Sequence, residues 1–210
     1  MTDNFELIKN YMLTEQIPLL SKDAGDLFFS IMLIRRGKDH PDLPSANYTF
    51  KSYYIDSIEK LDISKQEIIT CCDLFKLRAY VSVNIKSKEA FSKYCSYSYA
   101  LNILNNEYKK PWRVLDHVFG KLKASNESRW IVDVDDCLPN SIYLKAIENI
   151  INECDSGFEK NCILEVKTKS GVHIITHPFN LQQFNDLCNV NNCGVLDVKK
   201  DHVTLLYENL

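Results

Sequence analysis

The feature that most constrains this chain is the run WIVDVDD at positions 130–136. It has the apolar pattern of a buried strand but carries carboxylates at Asp133 and Asp135. Residues at i and i+2 of a strand point to the same face, roughly 7 Å apart along the backbone. Because like charges that close repel each other, a fold usually offsets the repulsion with a bound cation. The run therefore predicts metal-assisted phosphate chemistry, with a strand that ends in a solvated acidic turn as the alternative.

Composition predicts a compact protein inside the cell. The chain has 210 residues, enough for one domain or for two lobes that share a core. Its eight cysteines include no CxxC pair, which indicates reduced, mostly buried thiols in a cytosolic protein. The N-terminus lacks the pattern of a signal peptide, and the longest apolar run, residues 27–34, is too short to span a bilayer. We therefore expect a soluble, cytoplasmic protein with no membrane partner.

Net charge narrows the way in which nucleic acid can bind. At −3 the chain has no overall positive field, so a polyanion would need local basic patches or metal ions. Arg35 and Arg36 in one predicted turn, and Arg78, Asn84 and Lys86 along a predicted strand, are such candidate sites for a nucleic-acid backbone. The alternative for each of them is an ordinary solvated surface.

The second half of the chain has the clearer pattern of elements. Strands are predicted at residues 130–135, 162–168, 172–177 and 195–198, and helices at 141–154 and after a cap at Asn180. The order βαββαβ is that of ferredoxin-like domains, in which helices cover one face of the sheet and the other face is free. The predicted fold class is thus α+β. A ferredoxin-like or RRM-like unit at 129–210 follows a mixed α/β lobe at 1–128, and the two pack as one unit.

Helix signals are also present in the first half. Ser64 and Glu67 have the spacing of a capping box and predict a helix that begins there. Ser87 is expected to cap a long helix, whose apolar residues Phe91, Tyr94, Tyr97, Ala100, Leu101 and Leu104 form one stripe. The tyrosines of this stripe are interpreted as packing residues. The run at 27–34 fits a buried strand or a buried helix.

Strand parity predicts that the acids converge. In the usual order of such a sheet, 4-1-3-2, the first strand lies between the fourth and the third. Alternation places Asp133 and Asp135 on the open face, and it places Asp197 and His173 beside them on the neighbouring strands. If Asp197 belongs to a turn, Asp201 is the substitute.

Three short motifs of this half resemble the catalytic palm of the archaeo-eukaryotic primase superfamily, which includes primases and primase-polymerases. They are the apolar-Asp-x-Asp strand at 131–135, the small-x-His turn at 171–173 and the apolar-Asp pair at 196–197. In place of the familiar Ser-x-His, the chain has Gly171 and His173, with Ser170 one residue earlier. No cysteine and histidine cluster indicates the zinc element found in some members.

The resemblance implies a nucleotidyltransferase that adds nucleotides to a 3′-hydroxyl. Asp133, Asp135 and Asp197 would be the catalytic residues that hold Mg²⁺ or Mn²⁺, and His173 would contact the phosphates of the incoming nucleoside triphosphate. The lobe at 1–128 would help to bind a DNA or RNA template and primer, and a replication protein would be a possible partner.

Two cations about 4 Å apart stabilise the attacking and leaving oxygens of a phosphoryl transfer. The triphosphate needs positive partners as well, and Lys167 and Lys169 lie in or beside the hairpin that carries Ser170, Gly171 and His173. Lys167 is the preferred phosphate partner because it has the same strand parity as residues 163 and 165, which are expected on the open face. The alternative is that both lysines are ordinary solvated residues of a turn. Two other functions stay open: a carboxylate-metal nuclease, and a non-catalytic module that binds nucleic acid or protein.

Overall fold

The computed structural model describes residues 1–16, 25–40, 47–108, 114–124 and 128–209, and shows a mixed α+β protein built on two antiparallel sheets. The strands are β1 (Thr2–Asp3), β2 (Leu27–Arg35), β3 (Tyr48–Ile55), β4 (Arg78–Ser82), β5 (Lys86–Ser87), β6 (Trp130–Asp135), β7 (Cys162–Lys167), β8 (Gly171–Thr176), β9 (Asp197–Lys200) and β10 (Val203–Glu208). The α-helices are α1 (Phe5–Tyr11), α2 (Ile58–Phe75), α3 (Lys88–Leu104), α4 (Val114–Lys121), α5 (Ile142–Glu153) and α6 (Leu181–Val190). A π-helical turn (Met12–Gln16) follows α1, and a 3₁₀ turn (Gly37–Asp39) follows β2.

The first sheet has the order β1-β10-β4-β2-β3, and β5 pairs with the start of β2. The run at 27–34 is strand β2, which lies inside this sheet and is apolar on both faces. Phe29 and Ile31 join the main core, whereas Phe28 packs against Phe91 of α3 and Phe119 of α4. Burial on both faces explains why the sequence of β2 does not alternate.

The second sheet has the order β7-β8-β6-β9, and all its pairs are antiparallel. Numbered along this half of the chain, that is the predicted strand order 4-1-3-2. Helices α5 and α6 cover one face, and their apolar residues, such as Ile147 and Phe184, pack on Val132 and Ile174. Asn180 caps α6 as expected, since its side chain accepts a hydrogen bond from the backbone N–H of Gln183.

The other face of the second sheet is not free, so that expectation is wrong. Ile131, Val166 and Ile175 of this face belong to the core of the first sheet. The last strand, β10, hydrogen-bonds to β4 and β1 of the first sheet, so the predicted unit at 129–210 gives its final strand to the other sheet. The part of this face that carries Asp133, Asp135 and His173 lines a cavity.

Two helix predictions in the first half are also wrong. Helix α2 begins one residue after Ser57, whose side chain accepts from the backbone N–H of Lys60, so Ser64 lies inside the helix. Ser87 does cap α3, but Tyr94 and Tyr97 on the predicted apolar stripe are exposed. Helix α3 packs on α4 through Phe91, Cys95 and Tyr99, so the exposed tyrosines of the stripe are not the residues that hold this helix in place. Among the helices in the described ranges, none has both the length and the apolar character to cross a membrane.

Candidate active site

Three polar residues form a row across the second sheet. Asp133 on β6 is the direct partner of His173 on β8 and of Asp197 on β9. Directly opposed residues in an antiparallel pair point to the same face. The predicted placement of these three side chains on one face is therefore confirmed, while their functional roles stay predictions.

Asp133 is the centre of this row, and both of its carboxylate oxygens have partners. Oδ1 lies 3.3 Å from Nε2 of His173, and Oδ2 accepts a hydrogen bond from Nζ of Lys199. The hydrogen bond from His173, together with that from Lys199, holds the pKa of Asp133 well below its usual range, although burial opposes the shift. Asp133 is therefore a carboxylate at neutral pH, and its charge is available to a cation.

The orientation of His173 depends on the other sheet. Its Nδ1 lies 3.0 Å from the hydroxyl oxygen of Thr204 on β10, and the ring is buried. In a neutral ring that donates from Nε2 to Asp133, Nδ1 accepts from this hydroxyl. Since Thr204 belongs to the first sheet, the site is held by residues of both sheets.

Lys199 is a residue of the site that the sequence argument missed. It follows Asp197 by two positions on β9, so both side chains share one face. Its ammonium contacts Oδ2 of Asp133 and lies 3.5 Å from Oδ2 of Asp197. Burial is the largest single influence on Lys199 and lowers its pKa, but the hydrogen bonds and charges of Asp133 and Asp197 together outweigh it and the pKa rises. One positive charge thus lies between the two carboxylates.

The row opens into a cavity of about 370 Å³ between the two sheets. Of the predicted site residues, Asp133, Asp135, Lys169, Ser170 and His173 line it. The first sheet and its following turn contribute further cations to the wall, namely Arg36, Lys38 and Arg78, and Lys199 and His202 complete the basic lining. Carboxylates of the second sheet and cations of both sheets therefore face the same space, whereas Asp197 does not line it.

Gly171 lets the β7–β8 hairpin lie close to β6. It pairs with Asp135, and a Cβ atom at Gly171 would overlap the carbonyl oxygen of Val134 and lie 2.9 Å from Cα of Asp135. The carbonyl of Ser170 accepts a hydrogen bond of 2.8 Å from the backbone N–H of Asp136. Glycine is thus required at this position by close approach, and the hairpin places Ser170 at the rim of the cavity.

The preference for Lys167 over Lys169 is wrong. The β7–β8 register shifts between Cys162 and Leu164, so Lys167 pairs with Val172, whose side chain faces α5 and α6. Lys167 is exposed and lines a different pocket. Lys169, by contrast, lines the cavity with its Nζ 3.3 Å from a carboxylate oxygen of Asp39. The parity count from residues 163 and 165 failed because the bulge inserts one residue.

Asn84 and Lys86 do not belong to a nucleic-acid interface. Lys86 is 2 % exposed, and its ammonium donates to the carbonyl of Leu122 and to the carboxylate of Asp201. The amide nitrogen of Asn84 donates to the same carboxylate of Asp201 at 3.0 Å. Both side chains are occupied in fixing the turn between β9 and β10, so neither reaches a phosphate backbone.

The three arginines of the predicted interface have different surroundings. Arg78 is buried beside Asp39, with an N–O distance of 2.6 Å, yet it also lines the cavity. Arg36 donates from Nη1 to the hydroxyl of Tyr80 at 2.9 Å, and its buried Nε has no hydrogen-bond partner in the described part of the chain. The guanidinium of Arg35 lies 5.6 Å from the centre of a tyrosine ring on β3. Arg36 and Arg78 thus belong to the cavity wall.

The carboxylate oxygens of the site are of the kind that holds a divalent cation, but the Lys199 ammonium lies between them. Carboxylate oxygens are the ligands that Mg²⁺ and Mn²⁺ prefer. Asp133 and Asp197 both face the Lys199 ammonium, so these two carboxylates would share a divalent cation only after this ammonium has left. Within the described ranges, no three His, Cys, Asp or Glu side chains already stand together as ligands, and Asp135 contributes only as part of the cavity wall.

Comparisons with protein-family models, with curated proteins and with solved structures gave no match to this chain. The geometry of the cavity and the charges around it are therefore the basis for assigning a function.

Proposed function

We propose that the chain is a metal-dependent nucleotidyltransferase of the primase-polymerase type, with the cavity between the sheets as its nucleotide site. The observation that carries this proposal is the row Asp197, Asp133 and His173, in which Asp133 and His173 line a cavity whose wall is rich in cations. The strand order β9-β6-β8-β7, with α5 and α6 on one face, supports a ferredoxin-like palm as the scaffold.

The mixture of charges favours a nucleoside triphosphate with its metal over a simple anion. Arginine and lysine side chains are the usual partners of phosphate oxygens. Carboxylates on the same wall would repel a bare polyphosphate, so their presence indicates that a cation accompanies it. The volume of about 370 Å³ lies in the range of sites for small ligands, about 300–1,000 Å³.

Each residue then has a defined task. Asp133 and Asp197 would hold a divalent cation, and this cation would lower the barrier to attack by a 3′-hydroxyl on the α-phosphate, from which pyrophosphate leaves. His173, oriented by Thr204, and Lys169 contact the phosphates. Arg36 would face the phosphates from the opposite wall. Template and primer would lie along the open side of the cavity, next to Arg35.

A second candidate is a module that binds nucleotide or nucleic acid without catalysis. It is favoured by one observation: Lys199 already neutralises the carboxylates that would hold the metal. A carboxylate-metal nuclease is the third possibility, and it would not need the nucleotide-binding hairpin that carries His173.

Extension of a labelled primer separates these functions. The purified chain is incubated with a primed DNA or RNA template, nucleoside triphosphates and Mn²⁺ or Mg²⁺. We expect longer products, and we expect Asp133→Asn to abolish them while Asp155→Asn, the same change in an exposed loop, leaves them unchanged. Shortened template would indicate the nuclease. Binding of nucleotide without extension in either metal would indicate the non-catalytic module and would refute the proposed activity.

A further inference from the structure

We propose that Lys199 is an internal counter-ion that occupies the cation position of the site, so that a divalent metal binds by displacing the Lys199 ammonium. This inference rests on the proposed function and specifies how its metal site is regulated. The ammonium lies within contact of Asp133 and 3.5 Å from Asp197, which are the two proposed ligands on opposed strands.

The sequence places the lysine there by strand geometry. Asp197 and Lys199 are two residues apart on β9 and point to the same face, and Asp133 is the direct cross-strand partner of Asp197. Without a positive charge, two carboxylates at opposed positions of a sheet destabilise it. Lys199 supplies this charge from within the chain, so the fold tolerates the pair of acids in the absence of metal.

The displaced side chain has a place to go. The side chain of Lys199 is 26 % exposed, and Lys199 lines the cavity that opens beside the row. Lysine carries its charge on a flexible stem with several rotatable bonds. The ammonium can therefore leave the carboxylates by rotating into the cavity, where the proposed polyphosphate would accept it, and no strand has to move.

Because the metal must displace the Lys199 ammonium, its binding is weakened by the free energy of the contact between Lys199 and the carboxylates. An uncharged side chain at position 199 would leave the carboxylates without this ammonium, so a cation could bind them without displacing it. We expect Lys199→Met to bind Mn²⁺ about tenfold more tightly than the unmodified chain, which corresponds to about 1.4 kcal/mol.

The matched control lies next to Lys199. Lys200 is on the same strand but on the opposite face, with its ammonium 4.6 Å from the centre of the Trp130 ring. Lys200→Met changes the net charge of the protein by the same unit and leaves the carboxylates untouched. It is expected to bind Mn²⁺ as the unmodified chain does.

Mn²⁺ titration followed by electron paramagnetic resonance measures this binding without relying on activity. Lys199→Gln is titrated alongside Lys199→Met, and the melting temperature of each variant shows that it is folded. Tighter binding in both Lys199 variants, lost again when Asp133→Asn is added, supports the inference. Equal affinity in Lys199→Met, Lys199→Gln and the unmodified chain refutes it while leaving the proposed function intact. Absence of Mn²⁺ binding from all of the folded proteins, with and without a nucleoside triphosphate, refutes both.

Discussion

Replacing Asp133 with asparagine should destabilise the protein. The opposite is common in metal sites, where removal of one acid relieves its repulsion with the others. The side chain of Asp133 is 17 % exposed and accepts from both His173 and Lys199. The change removes the negative charge that these two partners face. The side chain of Asp197 is 68 % exposed, so the same change there removes a much weaker interaction.

The size of the effect follows from these contacts. A hydrogen bond to a charged group contributes about 1.5–3 kcal/mol, and an asparagine oxygen retains part of one of the two bonds. We therefore expect Asp133→Asn to lower the free energy of unfolding by about 2–3 kcal/mol. For a protein of this size that is a fall in melting temperature of roughly 4–12 °C. Asp197→Asn should stay within about 0.5 kcal/mol of the unmodified chain.

Urea unfolding followed by circular dichroism measures these differences. The double variant Asp133→Asn with Lys199→Met completes a thermodynamic cycle and isolates the interaction between the two side chains. We expect a coupling energy of about 1 kcal/mol or more, because the pair is partly shielded from water. If Asp133→Asn proved as stable as the unmodified chain, or more stable, Lys199 and His173 would not be its stabilising partners.

Three further results are expected. The pKa of Asp133 is depressed in the folded state, so its contribution to stability is complete above about pH 4, the range in which unfolded carboxylates titrate. This contribution is lost as the pH falls toward the pKa of the folded state. Asp133→Asn should therefore lose less stability than the unmodified chain when acid denaturation is followed. Gly171→Ala should lower the free energy of unfolding by about 1–3 kcal/mol or more through its overlap with β6, and its melting temperature should fall accordingly. Gly120→Ala, which meets no atom within 4 Å, should not; equal melting temperatures of the two variants would contradict the close approach. Lys86→Met should cost about 2 kcal/mol in urea unfolding without changing nucleotide affinity, and a loss of that affinity at unchanged stability would contradict its structural role.

Strand parity was sufficient to bring the main site residues together. Asp133, His173 and Asp197 each lie on a strand, and the register between β6 and its two neighbours has no bulge. Side-chain direction on such strands follows from counting residues. The same count would have found Lys199, since it follows Asp197 by two positions in the printed sequence.

Counting residues along a strand gave the wrong face where the strand contains a bulge. Lys167 turned to the helix-covered face because the β7–β8 register shifts between Cys162 and Leu164, and nothing in the composition of β7 marks that bulge. The helix start at Ser64 failed for another reason. A serine and a glutamate three residues apart fit a capping box, but they also occur on the exposed face of a longer helix, and Ser57 supplied the actual cap.

The long-range contacts were beyond any local pattern. Lys86 and Asn84 look like surface residues of a strand, but both bind Asp201 in a turn more than a hundred positions later. Likewise, the hydrogen bond between His173 and Thr204 depends on β10 joining the first sheet. A sequence pattern gives the face of a strand, whereas the identity of its neighbours is decided by how distant strands pair.

The route of β9 into β10 explains why the site lies at the junction of the sheets. Asp197 and Lys199 lie on β9 in the second sheet, and two residues after β9 the chain enters β10 in the first sheet. Asp201 makes this change of sheet with a φ of 53° and is held by Lys86 from the first sheet. The proposed ligand Asp197 and Thr204, which orients His173, are thus joined by one short connection. Their separation is fixed by two sheets at once, so the Lys199 side chain is the part of the site with the freedom to move.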